Sequence, residues 1–284
     1  MGRRRTAFCG ICLAGFCLLA IPLLWQRRAQ GSAPRAFRSN PALVVSNVGP
    51  WRLVQRGVEL RTATLERTDT QQVIDLKLVR MDQRWITLQI LYGDELGFKT
   101  ADVKTFALRS GALAAINANY FDEREKPLGL VKTKRSWTQS ALSKSALFTG
   151  VFGLRDDRAF IVHRDELALE GVKEAIQAGP LLLSKGNPLT ITRGAARQSR
   201  RSLVGIDTEQ KLLIAVTDTF TGGLTWVELQ EFFDSHLGDL RTVDLLNLDG
   251  GGSTQLYVKG PTVEEHVPGA TPVPVAIGFF PRQN

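Results

Sequence analysis

The feature that most constrains the fold is a long succession of short apolar runs separated by polar turns, which begins near Val48. The runs at 151–154 and 159–162 have the spacing of one β-hairpin, and those at 203–206 and 212–217 have the spacing of another. Helical stretches are few, and strands and helices do not alternate regularly. This pattern predicts an α+β fold, in which mixed or antiparallel β-sheets are flanked by a few helices in a single domain of catalytic type.

One more pair of strands is expected nearer the start of this region. Apolar and polar residues alternate over 73–81, and a second β-rich run covers 85–92. Only the polar residues 82–84 separate them, so the sequence predicts that the two strands form a hairpin.

Two segments have helical patterns. The weaker one covers 103–112. The stronger one begins at Thr225, which can form a capping box with Glu228, and Gly238 is expected to end it. Its apolar positions follow helical spacing and comprise Leu229, Phe232, Phe233 and Leu237.

The charge of the chain is concentrated at its N-terminus. The formal net charge is +8, but residues 1–40 contain seven arginines and no acidic residue, which leaves 29 basic against 28 acidic residues in the rest. The three cysteines also lie in this leader, at positions 9, 12 and 17. A body with balanced charge and no basic stripe of interleaved aromatics argues against nucleic-acid binding.

The leader has the pattern of a targeting segment. Residues 7–25 carry no charge and are flanked by arginines on both sides, and their length is nearer to a membrane span than to a secretory core. We therefore expect a signal-anchor, or alternatively a cleaved signal peptide, over 1–25, a flexible linker over 26–47 and the folded domain over 48–284. The domain is then extracytoplasmic, as in a bacterial periplasm, and is either tethered through this segment alone or secreted; a cysteine-free body suits an oxidising compartment.

The most distinctive motif is Asp249-Gly250-Gly251-Gly252-Ser253-Thr254, which follows the buried strand predicted over 243–248. Three glycines allow a ligand to approach the backbone closely, and successive amides in such a turn can bind an anion. The alternative is a tight turn capped by Asp249, and the residues alone leave the two interpretations open. The lysine of a nucleotide-binding phosphate loop is missing.

Polar residues also follow the predicted strand 115–118. Asn117, Asn119, Tyr120 and Asp122 alternate across its two faces, and amide side chains suit contacts with sugar hydroxyls. Taken alone, these residues are more typical of turns at a strand end. Gly179, in the sequence Gln-Ala-Gly-Pro, is by itself most simply a bend.

Arg201 stands out in a group of four arginines because it directly precedes a strand. Arginine binds phosphate through its forked donors, although such a group is more often a solvated surface. The three histidines have no metal-binding spacing, so we expect no metal site and no cofactor.

Taken together and in order, these segments resemble the phosphodiester glycosidase family. The resemblance covers about residues 110–260, and the last of its motifs is the most specific. The matching segments lie at 115–122, 177–182, 201–207, 215–218, 223–225 with the helix that follows, and 247–254.

The resemblance implies hydrolysis of a sugar-1-phosphodiester at the anomeric carbon, which gives free sugar and a phosphomonoester. It implies a phosphate site formed by Arg201 and the glycine amides at 250–252, with Ser253 and Thr254 beside them. Asp249 is then the carboxylate that faces the anomeric carbon, as base or nucleophile, and Asp218 or Asp122 is the second carboxylate. Asn117, Asn119, Tyr120 and Gly179 complete the expected substrate site.

One departure from the family pattern keeps a second function open. Family members commonly have glycine and then arginine soon after the acid that corresponds to Asp218, whereas here Thr219-Phe220-Thr221 lengthen the loop. The alternative is a non-catalytic envelope protein that binds glycan or assists polysaccharide export. A sugar phosphate or a glycan is the expected partner in either case, and the sequence leaves the oligomeric state open.

Overall fold

The computed structural model describes Gly2 and residues 35–139, 141–236 and 240–282. The strands in chain order are β1 (Arg35–Ala36), β2 (Leu43–Val48), β3 (Arg52–Gln55), β4 (Val58–Arg67), β5 (Gln72–Met81), β6 (Ile86–Tyr92), β7 (Ala114–Asn117), β8 (Val131–Lys132), β9 (Trp137–Gln139), β10 (Gly150–Arg155), β11 (Arg158–His163), β12 (Val172–Ala178), β13 (Leu181–Ser184), β14 (Asn187–Pro188), β15 (Ser202–Asp207), β16 (Leu212–Asp218), β17 (Thr242–Asn247), β18 (Leu256–Lys259), β19 (Glu264–Val267) and β20 (Val275–Pro281). The helices are α1 (Gly93–Leu96), α2 (Val103–Ser110) and α3 (Trp226–Glu231), with a π-helical turn at Phe232–His236 and 3₁₀ turns at Arg164–Glu166 and Gly251–Ser253.

The strands form three sheets, and every strand pair among the described residues is antiparallel. The first sheet has ten strands in the order β1-β2-β4-β5-β16-β15-β17-β13-β14, with β3 paired to β4. The second has the order β11-β10-β12-β8-β9, and the third has the order β19-β18-β7-β20-β6. The predicted α+β fold with few helices is confirmed, and its sheets are antiparallel rather than mixed.

The main apolar core lies between the three sheets, since all of them contribute to it. Val204 and Leu246 come from the first sheet, Phe152 and Ile176 from the second, and Ile277 from the third, and each is at most 1% exposed. The opposite face of the first sheet is covered by α3 and the turn after it, whereas α2 covers the third sheet. The first sheet is therefore buried on both faces at its centre, which explains the nearly continuous apolar runs of β15 and β16.

Helix α3 forms for the reason that the sequence indicates. The Thr225 hydroxyl accepts a hydrogen bond from the Glu228 amide at 3.1 Å, and the Glu228 carboxylate accepts one from the Thr225 amide at 2.8 Å. Leu229, Phe232 and Phe233 of the predicted stripe are buried against the sheet, whereas Leu237 and Gly238 lie outside the described residues.

Two sequence predictions are wrong. The flexible linker predicted over 26–47 does not extend beyond 34, because β1 and β2 belong to the first sheet and Phe37 is 1% exposed in its core. The hairpin predicted from 73–81 and 85–92 does not form either. β5 pairs with β4 and β16, and β6 pairs with β20, so the turn at 82–84 carries the chain from the first sheet to the third.

The two other predicted hairpins, β10–β11 and β15–β16, are confirmed. Of the leader only Gly2 is described, so the predicted signal-anchor lies almost wholly outside the described residues. Within the described part of the chain, no helix has the length and apolarity that a membrane crossing needs.

Candidate active site

The candidate site lies where the three sheets meet at strand ends. Asn117 ends β7 of the third sheet, Gly179 joins β12 of the second to β13 of the first, and Asn247 ends β17 of the first. Backbone hydrogen bonds fasten these ends together, from the Asp249 amide to the Ala118 carbonyl at 3.0 Å and from the Asn247 amide to the Pro180 carbonyl at 3.1 Å. The site is thus built on rigid elements rather than on a free loop.

Asn117 positions Asp249. Its side-chain Nδ2 donates to the Asp249 carbonyl at 2.8 Å, and its Oδ1 accepts from the Ser202 hydroxyl at 2.7 Å and from the Gln255 amide at 3.1 Å. Asn117 has 0% exposure, so these contacts occupy it within the protein. It was predicted to contact sugar, but the structure gives it the role of a positioning residue.

Tyr120 and Asn247 donate to the same acceptor, the carbonyl of Gly179, between β12 and β13. The Tyr120 hydroxyl donates to the Gly179 carbonyl at 3.0 Å, and Asn247 Nδ2 donates to the same carbonyl at 2.8 Å and to the Tyr120 hydroxyl at 3.1 Å. Burial, together with the nearby Asp249 carboxylate, raises the pKa of Tyr120 far above its usual range, so the phenol stays protonated. The ring of Tyr120 stacks on Phe148 with centroids 5.0 Å apart.

Asn247 is a candidate site residue to which the sequence reasoning gave no role. Its amide is an unusual polar group at the end of a buried strand, and this is the signal that identifies it. Asn247 Oδ1 and Asn119 Oδ1 are buried and accept no hydrogen bond from the described residues. Buried polar atoms normally have partners, so two unpartnered acceptors at neighbouring strand ends are typical of a site that holds a polar ligand.

Asp249 carries the most unusual carboxyl group of the site. Burial raises its pKa to about 6, although the Ser253 side chain and the Gly250 amide oppose the shift by hydrogen bonding to the carboxylate. The Gly250 amide donates to Asp249 Oδ1 at 2.9 Å. A carboxyl group with a pKa near neutrality can exchange protons during a reaction at physiological pH.

Two of the three amides of the glycine turn donate hydrogen bonds within the protein, so fewer are available to a ligand than was expected. The Gly250 amide is taken by Asp249, and the Gly251 amide donates to the Arg200 carbonyl at 2.9 Å. Of the three glycine amides, only that of Gly252 donates to no acceptor among the described residues. Gly251 has φ of 60°, and a Cβ on Gly250 would lie 2.7 Å from the Arg200 carbonyl oxygen, so glycine is required at both positions. The triplet thus shapes the turn and leaves one amide for a ligand.

Arg201 is a buried cation without a carboxylate partner among the described residues. It is 4% exposed; its Nε donates to the Leu224 carbonyl at 2.8 Å, one of its Nη atoms donates to the Arg197 carbonyl, and its guanidinium lies 4.8 Å from the ring centroid of Trp226. Burial lowers its pKa to about 10, which still leaves it charged at neutral pH. A buried charge is normally neutralised by a partner, so an anionic ligand is the expected partner of Arg201.

The pairing of β15 with β17 brings the backbones of Arg201 and Asp249 near each other. β15 pairs with β17 through Leu203 and Asn247, and the ladder continues with a 2.8 Å hydrogen bond from the Leu248 amide to the Ser202 carbonyl. Arg201 and Asp249 therefore lie just beyond the paired ends of β15 and β17. The two side chains form no salt bridge with each other, and neither is among the groups that shift the pKa of the other.

The two other predicted carboxylates differ from each other. Asp122 Oδ1 accepts from the Arg124 and Lys126 amides, both at 2.9 Å, so Asp122 closes a turn. Asp218 ends β16; its side chain forms no hydrogen bond or ion pair among the described residues, and it acts electrostatically on Arg200. Asp218 is therefore the better placed of the two to serve as a second carboxylate.

The remaining predicted residues border these groups. Ser253 is 6% exposed, and Thr254 is fully buried with a hydroxyl that has no partner among the described residues. Gly179 is required by close packing, because a Cβ there would lie 1.9 Å from the Leu147 carbonyl oxygen. No group of three or more His, Cys, Asp or Glu side chains that could hold a metal ion is found within the described ranges.

Comparison with known proteins identifies the family. The sequence model of the phosphodiester glycosidase family matches residues 110–280. This chain belongs to the phosphodiester glycosidase family. The match covers Asn117, Arg201, Asp249 and the glycine turn, and it extends past the segments that carried the resemblance in the sequence. No curated protein matches the chain significantly by sequence.

Solved structures share the fold at low sequence identity. A hypothetical protein from Synechocystis has a TM-score of 0.63 and 17% identity over 84% of this chain, which spans 65% of that protein's chain. The catalytic domain of zebrafish N-acetylglucosamine-1-phosphodiester alpha-N-acetylglucosaminidase, auto-inhibited by its pro-peptide, has a TM-score of 0.58 and 18% identity over 88% of both chains. A putative exported protein from Burkholderia pseudomallei has a TM-score of 0.51 and 12% identity over 74% of this chain and 75% of its own.

Proposed function

We propose that this phosphodiester glycosidase hydrolyses a sugar-1-phosphodiester at the anomeric carbon, releasing free sugar and a phosphomonoester. The observation that carries the proposal is the buried, carboxylate-free guanidinium of Arg201 at the start of β15, next to the end of β17 that leads to the near-neutral carboxyl of Asp249. The reaction requires a cation that binds the phosphate and a carboxyl that can exchange a proton, and Arg201 and Asp249 are these two groups.

Arg201 binds the phosphate of the substrate. Its fixed hydrogen bonds to the Leu224 and Arg197 carbonyls hold the guanidinium plane, and the Gly252 amide supplies a further donor at the glycine turn. These donors stabilise the negative charge that grows on the phosphate oxygen as the bond to the sugar breaks. The phosphomonoester is a good leaving group, so the site needs less general-acid assistance than an ordinary glycosidase.

Asp249 faces the anomeric carbon, as base toward the attacking water or as nucleophile. In either route a bond forms from oxygen to the anomeric carbon, the carbon–oxygen bond to the phosphate breaks with its electron pair on the phosphate, and water supplies the hydroxyl of the free sugar. The pKa of about 6 leaves Asp249 mostly ionised at pH 7, which is the form that both roles need. Asp218 supplies the second carboxylate, whereas Asn119 and Tyr120 lie on the sugar side of the site.

The compartment belongs to the same proposal. We place the domain outside the cytoplasm, held by its N-terminal segment or secreted. The uncharged leader with flanking arginines and the cysteine-free body support this location, and one of the proteins with the same fold is described as exported.

The test is a hydrolysis assay on the purified full-length chain. The substrate panel consists of sugar-1-phosphodiesters, beginning with N-acetylglucosamine-1-phosphate esters because the zebrafish protein of the same fold acts on that class by its name. We expect release of free sugar, a loss of at least 100-fold in kcat in Asp249→Asn, and a marked rise in KM in Arg201→Lys, which keeps the charge but loses the forked donors.

The matched control is Asp69→Asn, since Asp69 is an exposed residue of the turn between β4 and β5. It should hydrolyse at the wild-type rate. Full activity in Asp249→Asn contradicts the assignment of the carboxylate. Failure to release sugar across the whole panel, with glycan binding retained, would instead support the non-catalytic binding protein.

A further inference from the structure

A cavity lies beside Trp226, whose ring packs against the guanidinium of Arg201, and the proposed reaction does not use it. Its volume is about 730 Å³, which is within the range of small-molecule sites. Its apolar lining comprises Leu147, Pro180, Leu181, Leu189, Ile191 and Trp226.

Residues that line the cavity contact or directly neighbour residues of the candidate active site. Trp226 lines it and also lies 4.8 Å below the guanidinium of Arg201. Pro180 lines it and directly follows Gly179, whose carbonyl accepts hydrogen bonds from Tyr120 and Asn247. The segment that contributes Ile191 leads to Arg197, whose carbonyl holds Arg201.

The lining of the cavity suits an apolar group that is attached to a phosphate, because it is mainly apolar and carries no acidic side chain. The described residues that line it include no Asp or Glu, and their only ionisable side chains are His163 and Arg193. A sugar alcohol or a second sugar would need several polar partners to replace its hydration, whereas the lining offers hydroxyls only from a few Ser and Thr residues.

We propose that this cavity binds the aglycone, and that the aglycone is an aliphatic alcohol rather than a sugar. The inference rests on the proposed function and specifies its substrate: a sugar-1-phosphate esterified to an alkyl chain. Arg201 holds the phosphate, the chain lies along Leu189 and Ile191, and the products are free sugar and an alkyl phosphate. The bond that breaks and the water that adds are those of the parent reaction, so no further reactant is needed.

Chain length is the variable that tests this. Fully burying one methylene group is worth about 0.8 kcal/mol, which corresponds to about a fourfold gain in kcat/KM for each methylene that enters the cavity. We therefore expect kcat/KM to rise steeply from the methyl through the butyl to the octyl ester of the same sugar-1-phosphate, and octyl phosphate to inhibit far more strongly than methyl phosphate.

The experiment uses the full-length chain with methyl, butyl and octyl esters of N-acetylglucosamine-1-phosphate, or of whichever sugar the panel identifies. Leu189→Ser removes apolar surface from the cavity and should lower the octyl-to-methyl ratio of kcat/KM about tenfold. The matched control Leu169→Ser changes a leucine that is 54% exposed and outside the cavity, and it should leave the ratio unchanged. Thr192→Val replaces a lining hydroxyl by a methyl group of similar size and should raise the ratio.

The outcomes separate this inference from the proposed function. Hydrolysis with equal kcat/KM for methyl and octyl esters leaves the reaction standing and overturns the apolar aglycone site. An octyl preference that Leu189→Ser and Leu169→Ser weaken equally also overturns it, because the preference would then arise elsewhere. If no ester is hydrolysed, the proposed function fails, and equal affinity for octyl and methyl phosphate in direct binding by calorimetry then overturns the apolar site as well.

Discussion

Replacing Asp249 by asparagine should make the protein more stable while it removes hydrolysis. Burial raises the pKa of this carboxyl from 3.8 to about 6, so the folded state favours its protonated form. The stabilisation from this group is complete below pH 3.8 and is lost as the pH rises through 6. At 1.36 kcal/mol per pH unit, ionised Asp249 therefore lowers the free energy of unfolding at pH 8 by about 3 kcal/mol.

Asparagine removes that cost because it does not ionise, and its side-chain oxygen can still accept from the Gly250 amide. At pH 8 the variant should gain up to about 3 kcal/mol, which for a domain of this size corresponds to a rise of about 6–12 °C in Tm. At pH 4 the gain should nearly vanish, since the wild-type carboxyl is then protonated in the folded state.

Thermal unfolding of both proteins from pH 4 to pH 8 measures this difference. Asp69→Asn serves as the control, because Asp69 is exposed and its replacement should shift Tm little at any pH. A lower Tm for Asp249→Asn at pH 8, or a gain of the same size at pH 4 and pH 8, would refute the reasoning, because neither result is compatible with a buried carboxylate that opposes folding.

Three other predictions follow from single contacts. Glu228→Gln should destabilise the fold by about 3–5 kcal/mol in urea unfolding, because Glu228 and Arg67 form an ion pair at 2.8 Å with both side chains 3% exposed. Burial opposes ionisation of Glu228, but hydrogen bonds from Arg67 and its other donors outweigh burial and lower the pKa of the carboxyl. A loss below about 1 kcal/mol would contradict the importance of the pair. Tyr120→Phe should cost about 1 kcal/mol of stability by removing the buried hydrogen bond from the hydroxyl to the Gly179 carbonyl, and an unchanged Tm with a raised KM would instead assign the hydroxyl to the substrate. In steady-state assays, kcat/KM should rise about tenfold per pH unit below pH 6 and level off above it, because ionised Asp249 is the active form, so a flat profile from pH 5 to pH 8 would argue against it.

Local turn chemistry explains which strand pairs the sequence could predict. The β10–β11 hairpin was predicted correctly, and its turn residues Asp156 and Asp157 both have positive φ, as a two-residue hairpin turn requires. The pairing of β5 with β6 was predicted by the same reasoning and is wrong. β6 pairs instead with β20, where Ile90 stands opposite Ile277, and no local pattern can indicate a partner so far along the chain.

The candidate site shows the same division. Asp249 and Arg201 were singled out from their positions beside strands, and both lie just beyond the paired ends of β15 and β17. Asn247 was missed because one amide at a strand end has no distinctive spacing. The role of Asn117 was misassigned because the sequence cannot show that its three hydrogen bonds are made within the protein. Whether a polar side chain faces a ligand or a neighbouring strand depends on contacts between sheets.

The energetics of the site support a ligand between Arg201 and Asp249. If the two formed an ion pair, the guanidinium would hold the pKa of Asp249 below its usual range, but burial raises that pKa and Arg201 is not among the groups that act on it. The structure thus holds an unneutralised cation and a carboxyl that resists ionisation just beyond the paired ends of β15 and β17, and both arrangements oppose folding. Three antiparallel sheets supply the rigidity that tolerates this, since the strand ends at Asn117, Gly179 and Asn247 are tied by hydrogen bonds between different sheets. A phosphodiester bound as proposed would place its negative charge at Arg201 and so neutralise the buried cation, which an uncharged glycan cannot do.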